Sequence, residues 1–335
     1  MEGRAQNLGL TARRKKGCDG RPIGPSAEES GMRILVVGAG AVGGYFGARL
    51  AAAGRDVTFL VRARRAEQLR REGMQVVSPH GALTIRPQLV EAAQIDGPYD
   101  LILLSVKAYT LDSAMEDFAP AVGPGTMILP ALNGMRHIAR LVERFGEKPV
   151  LGGACRVVAE LNDKGQIVQM AEVQSLVYGE RDGTISDRMR ALDTIMQGAG
   201  FSAESSDRIM QIMWDKWVNL AALGGITCLL GGAVGQVASV PGGVRSATAL
   251  CNEALAVAGA YGHAPTEQEA ARVVSSLTNP DSKLTASMYR DMKSGGPVEA
   301  EQILGDMVEK AEAKGIEVPL LRAAAVALRV YDASR

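Results

Sequence analysis

The chain has 335 residues with 37 basic and 37 acidic side chains, a formal net charge of zero. That length allows two domains and a sizeable core, and the balanced charge gives no reason to expect a nucleic-acid partner. Hydrophobic residues at 47% with aromatics at only 4% fit a tightly packed α/β enzyme. The four cysteines and three histidines show no metal-ligand spacing, and no apolar run is long enough to span a membrane, so no metal and no membrane are expected and the expected location is cytoplasmic.

Residues 1–31 contain Arg13-Arg14-Lys15-Lys16, Pro22 and Pro25, with no hydrophobic period and no apolar region of a secretory signal. They read as a disordered tail or a mis-called upstream start, because Met32 opens the fold directly. Residues 34–37 are a short apolar run of the kind that forms a buried parallel strand. The run leads into Gly38-Ala39-Gly40-Ala41-Val42-Gly43. A helix is expected over 42–53, closed by Gly54, and a second strand over 56–61. Within such a strand–turn–helix unit each glycine has a purpose. Gly38 permits the turn, Gly40 lets backbone approach a pyrophosphate, Gly43 lets helix and strand pack closely, and the helix N-terminus faces the phosphates.

An NAD site places an acid roughly 20 residues after the glycines, at the end of the second strand. Here that stretch is Phe59-Leu60-Val61-Arg62-Ala63-Arg64-Arg65, three arginines and no acid. A solvated helix start accounts for one of them. Guanidinium groups pair bidentately with phosphate, so NADP(H) is the expected cofactor and Arg62 the expected ligand of its 2′-phosphate.

A polar helix follows over 64–73, then a small hairpin of 74–78 and 82–86 around Pro79-His80-Gly81. Further buried strands are expected at 101–106 and 126–129, with a helix over 111–119 between them. Lys107 and Asn133 sit at the carboxyl ends of these strands, where doubly wound sheets bind ligands. Segments 157–161, 166–170 and 175–178 read as an antiparallel meander added to the parallel sheet. After a helix over 187–198 no convincing strand appears. The expected fold is therefore α/β: a Rossmann-like doubly wound parallel sheet with antiparallel additions over 32–205, then an all-α domain over 206–335.

Lys216 stands between the chain's two tryptophans, Trp214 and Trp217. A lysine that loses solvation against apolar rings is suited to proton donation. The plainer alternative is a lysine that snorkels, its stem covering the rings, and local sequence favours that alternative. Asp291, Lys293 and Glu301 read as solvated helix charges, Met210 and Met213 as core, and Cys155 and Cys228 as small core residues.

Five motifs in order resemble the ketopantoate reductase (2-dehydropantoate 2-reductase) family from Met32 to the C-terminus. They are the glycine turn continued by Gly44-Tyr45, Lys107, Asn133-Gly134-Met135, Trp214-x-Lys216, and Glu299-Ala300-Glu301-Gln302-Ile303-Leu304-Gly305. The resemblance implies NADP-dependent reduction of a branched 2-oxo acid, a step of pantothenate synthesis. It implies Lys216 as general acid and Glu299 as the glutamate that holds substrate and orients the site. It further implies Asn133 and Lys107 lining the cofactor and substrate cleft, and Ser287 on the substrate carboxylate. Where the family carries asparagines four and eight positions after the lysine, this chain has Leu220 and Gly224, and Asn219 is the nearest substitute on the helix face. Val298 stands where the family usually has threonine. The partners carried forward are a small 2-oxo acid and a second copy of the chain in a homodimer. Competing readings are an NADP-dependent oxidoreductase for another 2-oxo or hydroxy acid, and a noncatalytic NADP-binding protein.

Overall fold

The computed structural model describes residues 31–335; residues 1–30, on which nearly all of the expected tail falls, lie outside the described part. Ile34–Val37 forms β1, every residue buried, as a central parallel strand covered on both faces requires. Next come α1 (Ala41–Ala52), β2 (Val57–Leu60) and α2 (Ala63–Glu72). A hairpin of β3 (Met74–Val77) and β4 (Leu83–Ile85) leads to a short edge strand, β5 (Gln88–Val90). The half closes with β6 (Leu101–Leu104), α3 (Leu111–Phe118), β7 (Met127–Pro130) and α4 (Arg136–Phe145). The sheet order is β5-β2-β1-β6-β7, all parallel, with Ile34 level with Val57 on one side and Leu101 on the other.

The expected three-stranded meander is instead one long hairpin, β8 (Gly152–Leu161) against β9 (Ile167–Gly179), and it does not join the parallel sheet. Between 170 and 175 the sequence Ala171-Glu172-Val173-Gln174 offers no Gly, Pro, Asn or Asp to break a strand, so β9 runs straight through. After α5 (Asp187–Met196) comes an unexpected strand, β10 (Ser202–Ser205). Its polar sequence hides it, and its alternating exposure suits a sheet edge. The free edge of β9 is shared end to end by two short parallel partners, β3 near Ile167 and β10 near Ser175.

Alternation along β1 sends its side chains into two cores. Leu35 and Val37 join the core that extends into the helical part, and Ile34 and Val36 join the one beneath α1. Helix α1 lies between the two sheets. An added Cβ at Gly47 would come within 2.6 Å of Phe59, and one at Gly44 within 2.5 Å of Ile167.

From Ile209 onward the elements are helical: α6 (Ile209–Leu230), α7 (Val234–Ala238), α8 (Gly243–Ala260), α9 (Glu267–Leu277), α10 (Ser287–Lys293), a π-helical turn at Glu301–Gly305, α11 (Asp306–Ala313) and α12 (Pro319–Ala333). Helix α6 is apolar nearly all round and forms the central rod of this part. Trp217 is fully buried and donates its indole N–H to the Ile303 carbonyl at 2.9 Å, and Trp214 stacks on Tyr261 and His263. Among the described residues no helix is long and apolar enough to cross a membrane.

Candidate active site

The turn after β1 is built so that only glycine fits its inner positions. Gly38 has φ = +99°, a region that side chains avoid. A Cβ on Gly43 would lie 2.0 Å from the Ser105 hydroxyl and 2.3 Å from the Gly38 carbonyl oxygen. The Ser105 hydroxyl donates to the carbonyls of Gly38, at 3.0 Å, and Val37, at 3.2 Å, and so ties the turn to the end of β6. At Gly40, the residue before α1, an added Cβ would meet no atom within 4 Å, and no side chain caps the helix. The first amides of α1 thus face open space with no side-chain partner, an arrangement suited to an anion.

That open space belongs to a cleft of about 2040 Å³ at the carboxyl ends of the parallel strands. Its wall includes Gly38, Ala39, Gly40, Ala41 and Val42, together with Arg62, Lys107, Asn133, Lys216, Asn219, Ser287 and Glu299. Of the thirteen residues expected in the site only Gly43 is absent from the wall; it is buried behind the turn. Of the three arginines, Arg64 is outside the wall. Arg65 lines it, but its guanidinium is engaged by Gln68 at 2.7 Å and the Gly165 carbonyl at 3.2 Å. Arg62, at the carboxyl end of β2, lines the cleft without an ion pair or hydrogen bond from its side chain to any described residue. A pyrophosphate-bridged dinucleotide fits this donor set, with phosphates at the α1 amides and a further anionic group within reach of Arg62.

Helix α6 turns Lys216, Asn219, Leu220 and Leu223 toward the cleft, the spacing of a single helix face. Neither tryptophan lines it, so the indole rings that flank Lys216 in sequence form no part of the cleft wall. Residues one or two apart on a helix face different ways. Lys216 is half-buried, with Nζ 4.0 Å from the Cys155 thiol on β8. Cys155 is buried as expected, yet it forms part of the cleft wall.

Glu299 is buried and reaches across to the end of β6, where its carboxylate accepts from the Ala108 amide at 3.0 Å and from Lys107 Nζ at 3.5 Å. Lys107 also meets Asp291 at 3.4 Å, so Asp291 is a cleft-facing partner of Lys107 rather than a solvated helix charge. Burial works against the Lys107 ammonium, but Glu299 and Asp291 outweigh it and raise the pKa above the ordinary lysine value. Glu301, in contrast, pairs bidentately with Arg329, at 2.6 and 2.8 Å, outside the cleft. The wall also has apolar members: Leu220 and Leu223 beside Lys216 on α6, with Val273, Leu284 and Met288 from other segments. The terminal carbon of Met288 occupies the space a side chain at Gly224 would need, 2.6 Å from an added Cβ.

Sequence reasoning missed Gln302 and His137. The Gln302 amide nitrogen donates to the Asn133 carbonyl at 2.7 Å and lies 2.9 Å from His137 Nδ1. His137 is fully buried, and burial first, then the Lys216 charge, push its pKa down to about 3. Among the described residues no group of three or more His, Cys, Asp or Glu is placed to hold a metal ion.

Comparison with known proteins places these features in context. Residues 34–183 match the family profile described as ketopantoate reductase PanE/ApbA, and residues 208–332 match its C-terminal counterpart. The chain is 34% identical over 307 residues to an uncharacterized oxidoreductase of Bacillus subtilis, YkpB, a match covering 91% of this chain and 100% of that protein. It is 29% identical over 291 residues to a 2-dehydropantoate 2-reductase of Archaeoglobus fulgidus, covering 87% and 95%. The crystal structure of a 2-dehydropantoate 2-reductase from Geobacter metallireducens superposes with a TM-score of 0.81 at 26% identity, covering 89% of this chain and 99% of that one.

Proposed function

The chain belongs to the ketopantoate reductase family of oxidoreductases, and we propose that it is a cytoplasmic enzyme that reduces 2-dehydropantoate (ketopantoate) to pantoate with NADPH, a step of pantothenate biosynthesis. In this reading residues 32–205 bind the cofactor and residues 206–335 carry the substrate side. One observation carries it: Lys216 on α6 and Glu299 in the loop after α10 line the same cleft as the uncapped glycine turn.

The nicotinamide, when bound, supplies the hydride to the carbonyl carbon of the substrate. Negative charge then builds on the carbonyl oxygen. The Lys216 ammonium hydrogen-bonds that oxygen and delivers its proton there, a role that contributes roughly 10²–10⁴-fold in such steps. Lys216 regains a proton from solvent through the open cleft. Ser287 holds the substrate carboxylate, and Asn219 takes the substrate's hydroxyl end. Glu299, fixed by Ala108 and Lys107, orients the substrate side of the helical part against the sheet. Arg62 supports NADPH over NADH, since its guanidinium faces the cleft uncommitted where an NAD site would place an acid.

The test follows NADPH oxidation by absorbance with ketopantoate, comparing wild type with Lys216→Ala. Turnover that collapses in the variant supports the reaction and the lysine together. NADPH binding without turnover of ketopantoate removes the substrate assignment. The apolar wall of Leu220 and Met288 favours a second reading, in which the substrate is a 2-oxo acid with an apolar side chain. A panel of 2-oxo acids, ranked by kcat/KM, separates the two.

A further inference from the structure

Gln302 bridges two segments that sequence keeps far apart. It lies on the π-helical turn two residues beyond Ala300, and its amide nitrogen meets both Asn133 and His137 in the loop and helix after β7. A backbone carbonyl can only accept, so the Asn133 contact fixes which end of the Gln302 amide faces that loop. The amide nitrogen then spends its second proton on His137. An amide nitrogen cannot accept, so His137 Nδ1 must, and the neutral ring carries its own proton on Nε2. That Nε2 is buried and has no partner among the described residues. The two segments touch at backbone level as well: Gly134 has φ = +74°, and a Cβ there would lie 2.3 Å from the Gln302 carbonyl oxygen.

We propose that Gln302 is a positioning residue: it registers the Asn133 loop against the segment bearing Glu299 and locks His137 in the Nε2–H tautomer. Neither Gln302 nor His137 lines the cleft, so both act through Asn133, which does. Together with the bond from Glu299 to the Ala108 amide, the latch pins the helical part to the carboxyl ends of two adjacent strands, β6 and β7. The inference rests on the cleft being the cofactor and substrate site.

The experiment combines Gln302→Leu, Gln302→Glu and His137→Asn with kinetics, NADPH titration and ¹⁵N-histidine NMR. With only three histidines in the chain, the His137 signal is assigned by its loss in His137→Asn. In wild type that signal keeps the neutral Nε2–H signature between about pH 5 and 8, although an unperturbed imidazole titrates there. Gln302→Glu cannot donate to the Asn133 carbonyl and offers His137 a carboxylate, so the ring gains a second proton and titrates in that window. Gln302→Leu keeps a cooperative melt, yet its Kd and KM for NADPH rise about tenfold, the factor expected of one lost hydrogen bond, with a smaller change in kcat. A wild-type His137 that titrates in the window or shows the Nδ1–H tautomer overturns the proposal. So does a Gln302→Leu enzyme that melts lower but keeps its NADPH Kd and KM within about twofold. If Gln302→Leu does not fold, Gln302→Glu and the wild-type spectrum decide. The NMR readout needs no turnover, so it distinguishes failure of the latch from failure of the assigned reaction.

Discussion

Gly40 and Gly43 sit three residues apart in the same turn, and the structure separates their roles sharply enough to predict opposite phenotypes on substitution by alanine. At Gly43 the added methyl would stand 2.0 Å from the Ser105 hydroxyl and 2.3 Å from the Gly38 carbonyl oxygen. Ser105 can rotate away, but the Gly38 carbonyl is backbone and can move only with the turn. Overpacking of this kind costs about 1–3 kcal/mol, and at about 2–4 °C per kcal/mol for domains of 150–250 residues the melting temperature falls by several degrees. At Gly40 the methyl meets nothing within 4 Å, and the backbone (φ −91°, ψ −158°) suits alanine. Stability should hold or rise slightly, by up to about 1 kcal/mol from the stiffer unfolded chain. The methyl does occupy the space through which a pyrophosphate would approach. Losing one charged hydrogen bond there, about 1.5–3 kcal/mol, raises the NADPH Kd at least about tenfold. Thermal melts with and without NADPH, plus a fluorescence titration, read both effects. A Gly40→Ala protein that binds NADPH normally, or a Gly43→Ala protein that melts like wild type, refutes the account of the turn.

Arg62→Ala should weaken NADPH by about tenfold or more while leaving NADH kinetics nearly unchanged, because one charge-assisted bond to the 2′-phosphate is removed; equal losses for both cofactors would exclude Arg62 from that role. Leu220→Asn should shift kcat/KM toward ketopantoate and away from 2-oxo acids with apolar side chains, and an unchanged ratio would show that this wall does not touch the substrate. His137 gives a pH prediction with a definite sign. Its folded pKa of about 3 lies below the ordinary 6.5, so between those values the unfolded chain binds a proton that the folded one refuses. Stability therefore falls as pH drops through that window, by up to about 1.4 kcal/mol per pH unit. In His137→Asn, whose amide oxygen can accept from Gln302, this component of the acid sensitivity should disappear; denaturant melts at stepped pH that keep the wild-type slope would contradict it.

The strand–turn–helix of β1 and α1 was legible because its determinants are local: four apolar residues, three glycines and a helix within one short stretch. The helical character after Asp207 was legible for the same reason, since no segment there alternates as a strand does. What escaped reading depended on distant partners. Gln302 and His137 are 165 residues apart, and nothing in the local sequence of either points to the other as its partner. Asp291 read as a surface acid because its cation, Lys107, comes from the other end of the chain, 184 residues away. The tryptophans beside Lys216 misled in the opposite sense, since side chains one or two positions apart on a helix point in different directions. The meander is a single hairpin because nothing between 170 and 175 interrupts β9. β10 failed because pairing with β9, not its own composition, makes it a strand.

The two-sheet arrangement also sets an order of assembly. All five strands of the parallel sheet have been synthesised once Pro130 is made. The second sheet cannot close until β9 arrives: Ser78 and its hydrogen-bond partner Gln169 are 91 residues apart. Pairing across such separations is slow, because loop closure must precede the contacts that reward it. Until then the Gly44 face of α1, later covered by Ile167, lies open. At synthesis rates of about 5–20 residues per second, a chain emerging from the ribosome carries that bare apolar face for several seconds. This interval, rather than pairing of the parallel strands, is the stage of biogenesis most open to aggregation and best suited to capture by a chaperone.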